Sequence, residues 1–292
     1  MAEVIDTAAA GAGTGDPAAA AMKDDRRTAG ERVAGFLGAA WRPALVIAIV
    51  FGAWWFATAV EMMPRYLVPS PAEVAETMVD ESALLLEHSG ITLYETVAGF
   101  VLAASLGLLT AVLIVYSPTF EKSFYPIILF SQVIPKIAIA PILIVWFGFG
   151  PEPKVILAVL IAFFPVVISG VAGLRSIDPE LLELSSTMGA SRWQTFRKLR
   201  FPASLPHLFA GLKVAATLAV VGAVVGEFVG ADKGLGYVLL LASGNLNAPL
   251  LFADLILMSV IGIALFVAVE VMEALLIPWH ASRRSGVSMA TA

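Results

Sequence analysis

Six long apolar stretches dominate the chain: 44–60, 91–116, 124–149, 155–174, 208–229 and 251–277. The hydrocarbon core of a bilayer takes about 20 mostly apolar residues per helix, and only helices or closed barrels satisfy their backbone polar groups there. Runs of this length predict an all-α membrane protein with six transmembrane helices. Charged residues make up only 14% of the chain and mean hydropathy is +0.88, against about 25% charged residues in a soluble domain. Spans and loops use up the 292 residues, leaving no room for a second large soluble domain. The first stretch is short, and the third carries Pro126, Pro135 and Pro141.

Lysine and arginine in short loops set orientation. With the N-terminus in the cytoplasm, the inner segments hold thirteen: Lys23, Arg26, Arg27, Arg32, Arg42, Lys122, Arg175, Arg192, Arg197, Lys198, Arg200, Arg283 and Arg284. The opposite side holds three, Arg65, Lys154 and Lys233. Both termini are therefore expected in the cytoplasm, which agrees with an even number of spans. The expected layout is a disordered cytoplasmic tail over 1–40, a transmembrane domain over 41–280 and a second cytoplasmic tail over 281–292. The tail is rich in Ala, Gly, Asp and Thr without apolar periodicity. No basic start precedes an early apolar core, so a cleaved signal peptide is not expected. The absence of cysteine excludes disulfides, Cys-ligated zinc and thiol catalysis.

Residues 178–206, DPELLELSSTMGASRWQTFRKLRFPASLP, stand out as a polar, basic segment of 29 residues in an apolar chain. Asp178, Pro179 and Glu180 form a helix start, and Gly189 a helix stop. Ser191 and Gln194 make a capping box that opens a second helix. Pro202 and Pro206 are expected to end that helix and redirect the chain into the fifth span. Two capped helices around a glycine corner suit either a basic hairpin on anionic headgroups or a plug for a cytoplasmic partner.

On the other side, Ser70, Pro71 and Glu73 predict a short helix with a capping box. Its acids (Glu73, Glu76, Asp80, with Glu81 and Glu87 following) read as a solvated face or as part of a landing surface. Among charges in or near spans, Glu95 and Lys213 are expected to reach headgroups from span ends, and Glu270 and Glu273 to pair between helices or serve transport. Lys136 follows Pro135 midway along the third stretch, where proline bends or breaks a helix. It is a candidate for the translocation path with Gln132 and Glu227, and Glu227 is a candidate partner for it. The alternative is a salt-bridged or snorkelling lysine at a helix break. Gly99, Ala103, Ala104, Gly107, Gly222 and Gly226 predict close helix contacts, with this chain or with a second copy.

The 178–206 segment resembles the EAA loop of ABC importer permeases. Glu183 matches the acid, Gly189 the glycine and Leu199-Arg200-Phe201-Pro202 the ending, while Leu184 and Ser185 stand where the family has its two alanines. The resemblance runs from about Tyr66 to Trp279. YLVPSPAEV (66–74), IPKIAIAPILIVWFGFG (134–150), GASRWQTFRKLRFPASLPHLFAGLKVA (189–215) and GEFVGADKGLGYVL (226–239) look like the nitrate, sulfonate and taurine branch. It implies a type I ABC importer permease fold in a bacterial plasma membrane. It also implies a homodimer, a separate ATPase that binds ATP and Mg, and an extracytoplasmic substrate-binding protein. Glu183, Met188, Gly189, Ala190, Ser191, Trp193 and Pro202 would then face the ATPase. The implied substrates are small anions such as sulfonates, taurine or nitrate, or pyrimidine, riboflavin-type or aromatic carboxylate compounds.

No G-x-x-x-x-G-K-[ST] occurs, so the chain is expected to bind no cofactor itself and to catalyse nothing. GADKGLG (230–236) reads as a flexible loop between spans. No nucleic-acid partner and no metal site is expected, because the three histidines (His88, His207, His280) are scattered. A secondary transporter would show discontinuous helices in two related halves, which the sequence lacks; an embedded enzyme would show clustered metal ligands.

Overall fold

The computed structural model describes residues 29–62 and 64–278, with side chains from Trp41 onward. Residues 1–28 of the expected N-terminal tail lie outside the described residues, and so do the 281–292 tail and the basic residues counted in both. The first helix, α1 (Ala29–Ala59), begins inside the range expected as tail. The chain divides at Ala53, and Trp54–Arg283 form one compact unit.

Within that unit the order is α2 (Pro71–Asp80), α3 (Ser82–Tyr116), α4 (Pro118–Ser131), a 3₁₀ turn (Lys136–Ile139) and α5 (Ala140–Phe147). There follow α6 (Glu152–Arg175), α7 (Pro179–Thr187), α8 (Arg192–Thr195), a π turn (Phe196–Arg200), α9 (Phe201–Gly230), α10 (Leu235–Gly244) and α11 (Ala248–Leu276). There is no strand among the described residues. Among the described residues, five helices are long and apolar enough to cross a membrane; α4 with α5 makes a sixth span only as a broken pair, bent by 87°. The stretch expected as a third span over 124–149 is thus two helices that meet at the bend or break expected at Pro135. Pro135 has no N–H to donate, and Pro141 sits in the first turn of α5, where a missing donor costs least.

The core is a seam of small residues along α6. Gly99 of α3 and Gly222 of α9 both face Ala158: a methyl group at either would lie 2.5 Å from an Ala158 carbon. Gly107 meets Val166, Gly226 meets the Lys154 backbone, and Ala111 closes on Gly170. These contacts are made within one chain. Without a side chain at the crossing, backbones approach until dispersion contacts are dense, which drives helix association in lipid better than apolar burial does.

Polar clamps fix the periphery. The Trp54 indole donates to the Pro69 carbonyl at 3.0 Å and its ring stacks on Phe252. α2 has the expected capping box: the Ser70 N–H donates to Glu73 Oε2 at 2.7 Å, and the Glu73 N–H to Ser70 Oγ at 3.2 Å. The Ser70 backbone N–H holds the Glu73 carboxyl below the usual carboxylate range, with help from the Ser70 hydroxyl and Arg65. Lys213 does not reach for headgroups. Its ammonium lies 2.5 Å from Glu273, joining α9 to α11, because an ion pair costs less there than two separate buried charges.

Gly222→Val puts branched carbons against the Ala158 backbone. Overpacking of this kind costs typically 1–3 kcal/mol. Thermal melts in detergent should show a lowered midpoint for Gly222→Val and none for Gly262→Ala, where the added carbon meets only ordinary contact at 3.8 Å.

Candidate functional site

α9 ends in two polar junctions, one at each end of the bundle. The first is the 178–201 segment. Asp178 caps α7 by accepting the Glu180 N–H at 3.1 Å. The helix stops in a Schellman arrangement: the Ala190 N–H donates to the Ser185 carbonyl and the Gly189 N–H to that of Ser186, both at 3.0 Å. Gly189 takes φ +75°, the left-handed conformation that glycine adopts without strain. The Ser191–Gln194 capping box then opens α8.

Here the structure corrects an expectation. Pro202 and Pro206 do not end the second helix; α8 continues into α9. A π turn makes this possible. The Phe201 N–H reaches back five residues to the Phe196 carbonyl, widening the helix one turn ahead of Pro202, where the ring would otherwise press on a carbonyl. The corner is thus rigidly continuous with a helix that crosses the whole bundle. Its footing is aromatic and cationic. Phe196 stacks on Trp193 and meets Tyr116 edge-on, and the Arg200 guanidinium lies 5.5 Å from the centre of the Tyr116 ring. Arg175 pairs with Glu121 at 2.8 Å. Outward it shows Leu181, Leu184, Met188 and Trp193, the last two 78% and 66% exposed. Glu183, Gly189 and Ser191 are exposed beside them, while Ala190 and Pro202 are half-buried.

The second junction holds the start of α10. Three consecutive backbone N–H groups are each taken by a side chain. Gly234 donates to His88 Nδ1 at 2.8 Å, Leu235 to Thr92 Oγ1 at 2.8 Å and Gly236 to Glu227 Oε2 at 2.6 Å. The Thr92 hydroxyl donates to Glu227 Oε1 at 2.6 Å. Glycine at 234 and 236 is required, since a side-chain carbon at either would strike the Glu227 side chain. The 230–236 stretch, expected as a flexible loop, is therefore a clamped helix start. His88, Thr92 and Glu95 had a signal in the sequence: their spacing puts three polar groups on one face of an apolar helix.

Glu95 is 1% exposed and does not reach a span end; it lies with Glu227 and Asp254, both 0% exposed, inside the bundle. Glu95 Oε2 and both Asp254 oxygens have no hydrogen-bond partner among the described residues. Such groups are costly in a membrane and are tolerated where they face a cavity. A cavity of about 700 Å³ does open beside Glu95, lined also by Tyr94, Phe149, Lys154, Asp232 and Lys233. The Lys154 ammonium, almost fully buried, donates to the Phe149 carbonyl at 2.8 Å.

The three residues suggested for the translocation path do not converge. Lys136 donates to Gln132 Oε1 at 2.8 Å across the break between α4 and α5, while Glu227 bonds Thr92 and Gly236. The suggested pairing of Glu227 with Lys136 is not formed. No cluster of three or more metal-ligating side chains occurs among the described residues.

Residues 103–279 match the family described as "Binding-protein-dependent transport system inner membrane component". The chain is 38% identical to the formylaminopyrimidine transport permease protein ThiX of Halalkalibacterium halodurans, over 74% of this chain and 86% of that one. It is 38% identical to the riboflavin transport system permease protein RibX of Chloroflexus aurantiacus, over 82% and 89% of the two chains. A putative aliphatic sulfonates transport permease protein, SsuC of Bacillus subtilis, is 30% identical over 88% and 92%. In fold, the chain matches the inward-facing MetNI methionine ABC transporter with a TM-score of 0.60 at 21% identity, covering 68% of this chain and 98% of that one. With the apolar spans, these likenesses establish that the chain belongs to the binding-protein-dependent inner-membrane transport family and is the multi-pass permease subunit of an ABC importer.

Proposed function

We propose that this permease takes its energy from a separate ATPase seated on the corner around Gly189, on the cytoplasmic side. The observation that carries the reading is the exposed apolar set Leu184, Met188 and Trp193, held on two capped helices about Gly189, the second of which runs without a break into α9. Exposed apolar groups framed by Arg192, Arg197 and Lys198 suit a groove in a partner protein. A push on Glu183, Ala190 or Ser191 would reach the far end of the bundle through α9 and its Pro202 turn. The ATPase binds ATP and Mg, and an extracytoplasmic binding protein delivers substrate. A second copy of this chain completes the path, covering the exposed apolar side chains of α4 and α5 such as Phe130, Val145 and Trp146.

For the substrate, a heteroaromatic compound of the pyrimidine or flavin type is favoured over sulfonate, taurine or nitrate. The relatives named for such compounds are 38% identical, against 30% for the one named for sulfonates. The charge pattern agrees: three acids, Glu95, Glu227 and Asp254, are buried in the bundle beside one almost fully buried lysine, Lys154, and Lys136, the candidate anion attractor, is already tied to Gln132. Gln132 and Lys136 line the path; Glu227 shapes it by anchoring α10.

In liposomes holding permease, ATPase and binding protein, ATP-dependent uptake of riboflavin or formylaminopyrimidine is expected, with little uptake of an alkanesulfonate. Uptake that persists without ATP or without the ATPase would contradict the coupled reading. Gly189→Val should insert normally yet uncouple: ATPase activity stops responding to loaded binding protein and uptake falls about tenfold or more, since a β-branched residue at positive φ costs about 1–3 kcal/mol. Lys136→Met should leave assembly intact and lower uptake through a changed KM; unchanged kinetics would reduce Lys136 to a structural charge at the break.

A further inference from the structure

Of the three acceptors that hold the start of α10, one can be abolished by a single proton. His88 Nδ1 takes the Gly234 N–H at 2.8 Å, so the ring carries its own proton on Nε2. Protonation of Nδ1 would turn the acceptor into a donor and set two N–H groups against each other. The other two acceptors, Thr92 Oγ1 and Glu227 Oε2, do not change in this way: a hydroxyl and a carboxyl oxygen accept in either state. Histidine is the side chain whose ordinary charge change falls between pH 5 and 8.

The surroundings set how readily the change occurs. His88 is 7% exposed. Burial disfavours the charged ring; Glu87, next to it on α3, favours it, and Lys233, in the loop before α10, opposes it. Tyr237 of α10 has its ring 5.9 Å away. The other titratable and charged groups near this end are Tyr94 and Glu95 of α3, Lys154 of α6, Glu227 of α9, Asp232 in the loop and Asp254 of α11. Gly234 itself has no alternative: it sits at φ +102° with its hydrogen aimed at the ring. Loss of this bond leaves a buried donor unsatisfied at the first turn of α10, where helices already carry unpaired N–H groups.

We infer that His88 is a proton-sensitive positioning residue, which seats the first turn of α10 when neutral and releases it when charged. The segment released borders the 700 Å³ cavity through Asp232 and Lys233. Acidification on that side would therefore loosen one wall of the cavity without touching the corner around Gly189. The inference needs neither the substrate nor the ATPase to be identified.

Hydrogen exchange on the full-length permease in lipid nanodiscs tests it directly. After correction for intrinsic rates, the amides of 234–236 should be protected at pH 7.5. They should lose about tenfold of that protection at pH 5.5, the effect of one buried hydrogen bond left unmade. His88→Gln, whose amide oxygen accepts without titrating, should hold the same protection at both values. The inference is overturned if wild-type protection is flat between pH 5.5 and 7.5, or if His88→Gln loses as much as wild type. Should the variant fail to fold, ¹⁵N-histidine spectra of the wild-type chain decide: the His88 Nδ1 signal must change from acceptor to protonated nitrogen over the pH range where protection is lost, and a signal unchanged over that range rejects the inference.

Discussion

The close approach of α6 to α3 and α9 is the constraint on which the other features depend. Ala158 is gripped between Gly99 and Gly222, with no room for one more carbon on either side. A bilayer offers no hydrophobic reward for bringing helices together, so contact density has to supply the attraction. The contacts repeat along α6, from Lys154 against Gly226 to Gly173 against Ser204. Three helices packed this closely over that length are suited to move as one body, and the lever role proposed for α9 rests on this: a displacement at one of its ends would be delivered at the other.

The two ends are built on opposite logic. The corner around Gly189 is held by local devices, two caps and a positive-φ glycine, and shows its apolar side chains outward. The start of α10 is held by long-range bonds and shows almost nothing; its acceptors come from α3 and α9 and are buried. A surface proposed to meet a partner and a joint proposed to respond to protons call for these different solutions. The three buried acids belong to the second. Glu227 is satisfied by Thr92 and Gly236, whereas Asp254 and one oxygen of Glu95 have no donor among the described residues. A membrane protein retains such groups where water or a ligand reaches them.

What the sequence revealed follows from the range of each interaction. The α6 and α11 spans were legible within a few residues, since lipid forces an unbroken apolar run. So were the Ser70–Glu73 and Ser191–Gln194 boxes, which close over three residues. Prolines read unequally well. Pro202 and Pro206 look like terminators, but a π turn absorbs them, whereas Pro135 marks the bend or break that its position suggests. Lys213 and Glu95 look like end charges in the sequence because their partner and their neighbours lie on other helices. The His88–Gly234 bond spans 146 positions, and only an i, i+4, i+7 run of polar groups on α3 hinted at it.

The central claim is that the corner around Gly189 is where a separate ATPase docks. The chain has no cysteine, so Ala190→Cys introduces a unique thiol there. A photoactivatable maleimide placed on that thiol, with the permease in membranes containing the ATPase, should yield a single crosslinked species of permease plus ATPase whose amount changes when ATP is added. The same probe on an Ala203→Cys variant, one turn into α9, should give far less. Equal labelling of lipid alone from Ala190→Cys, with no ATPase adduct under any nucleotide condition, would contradict the account.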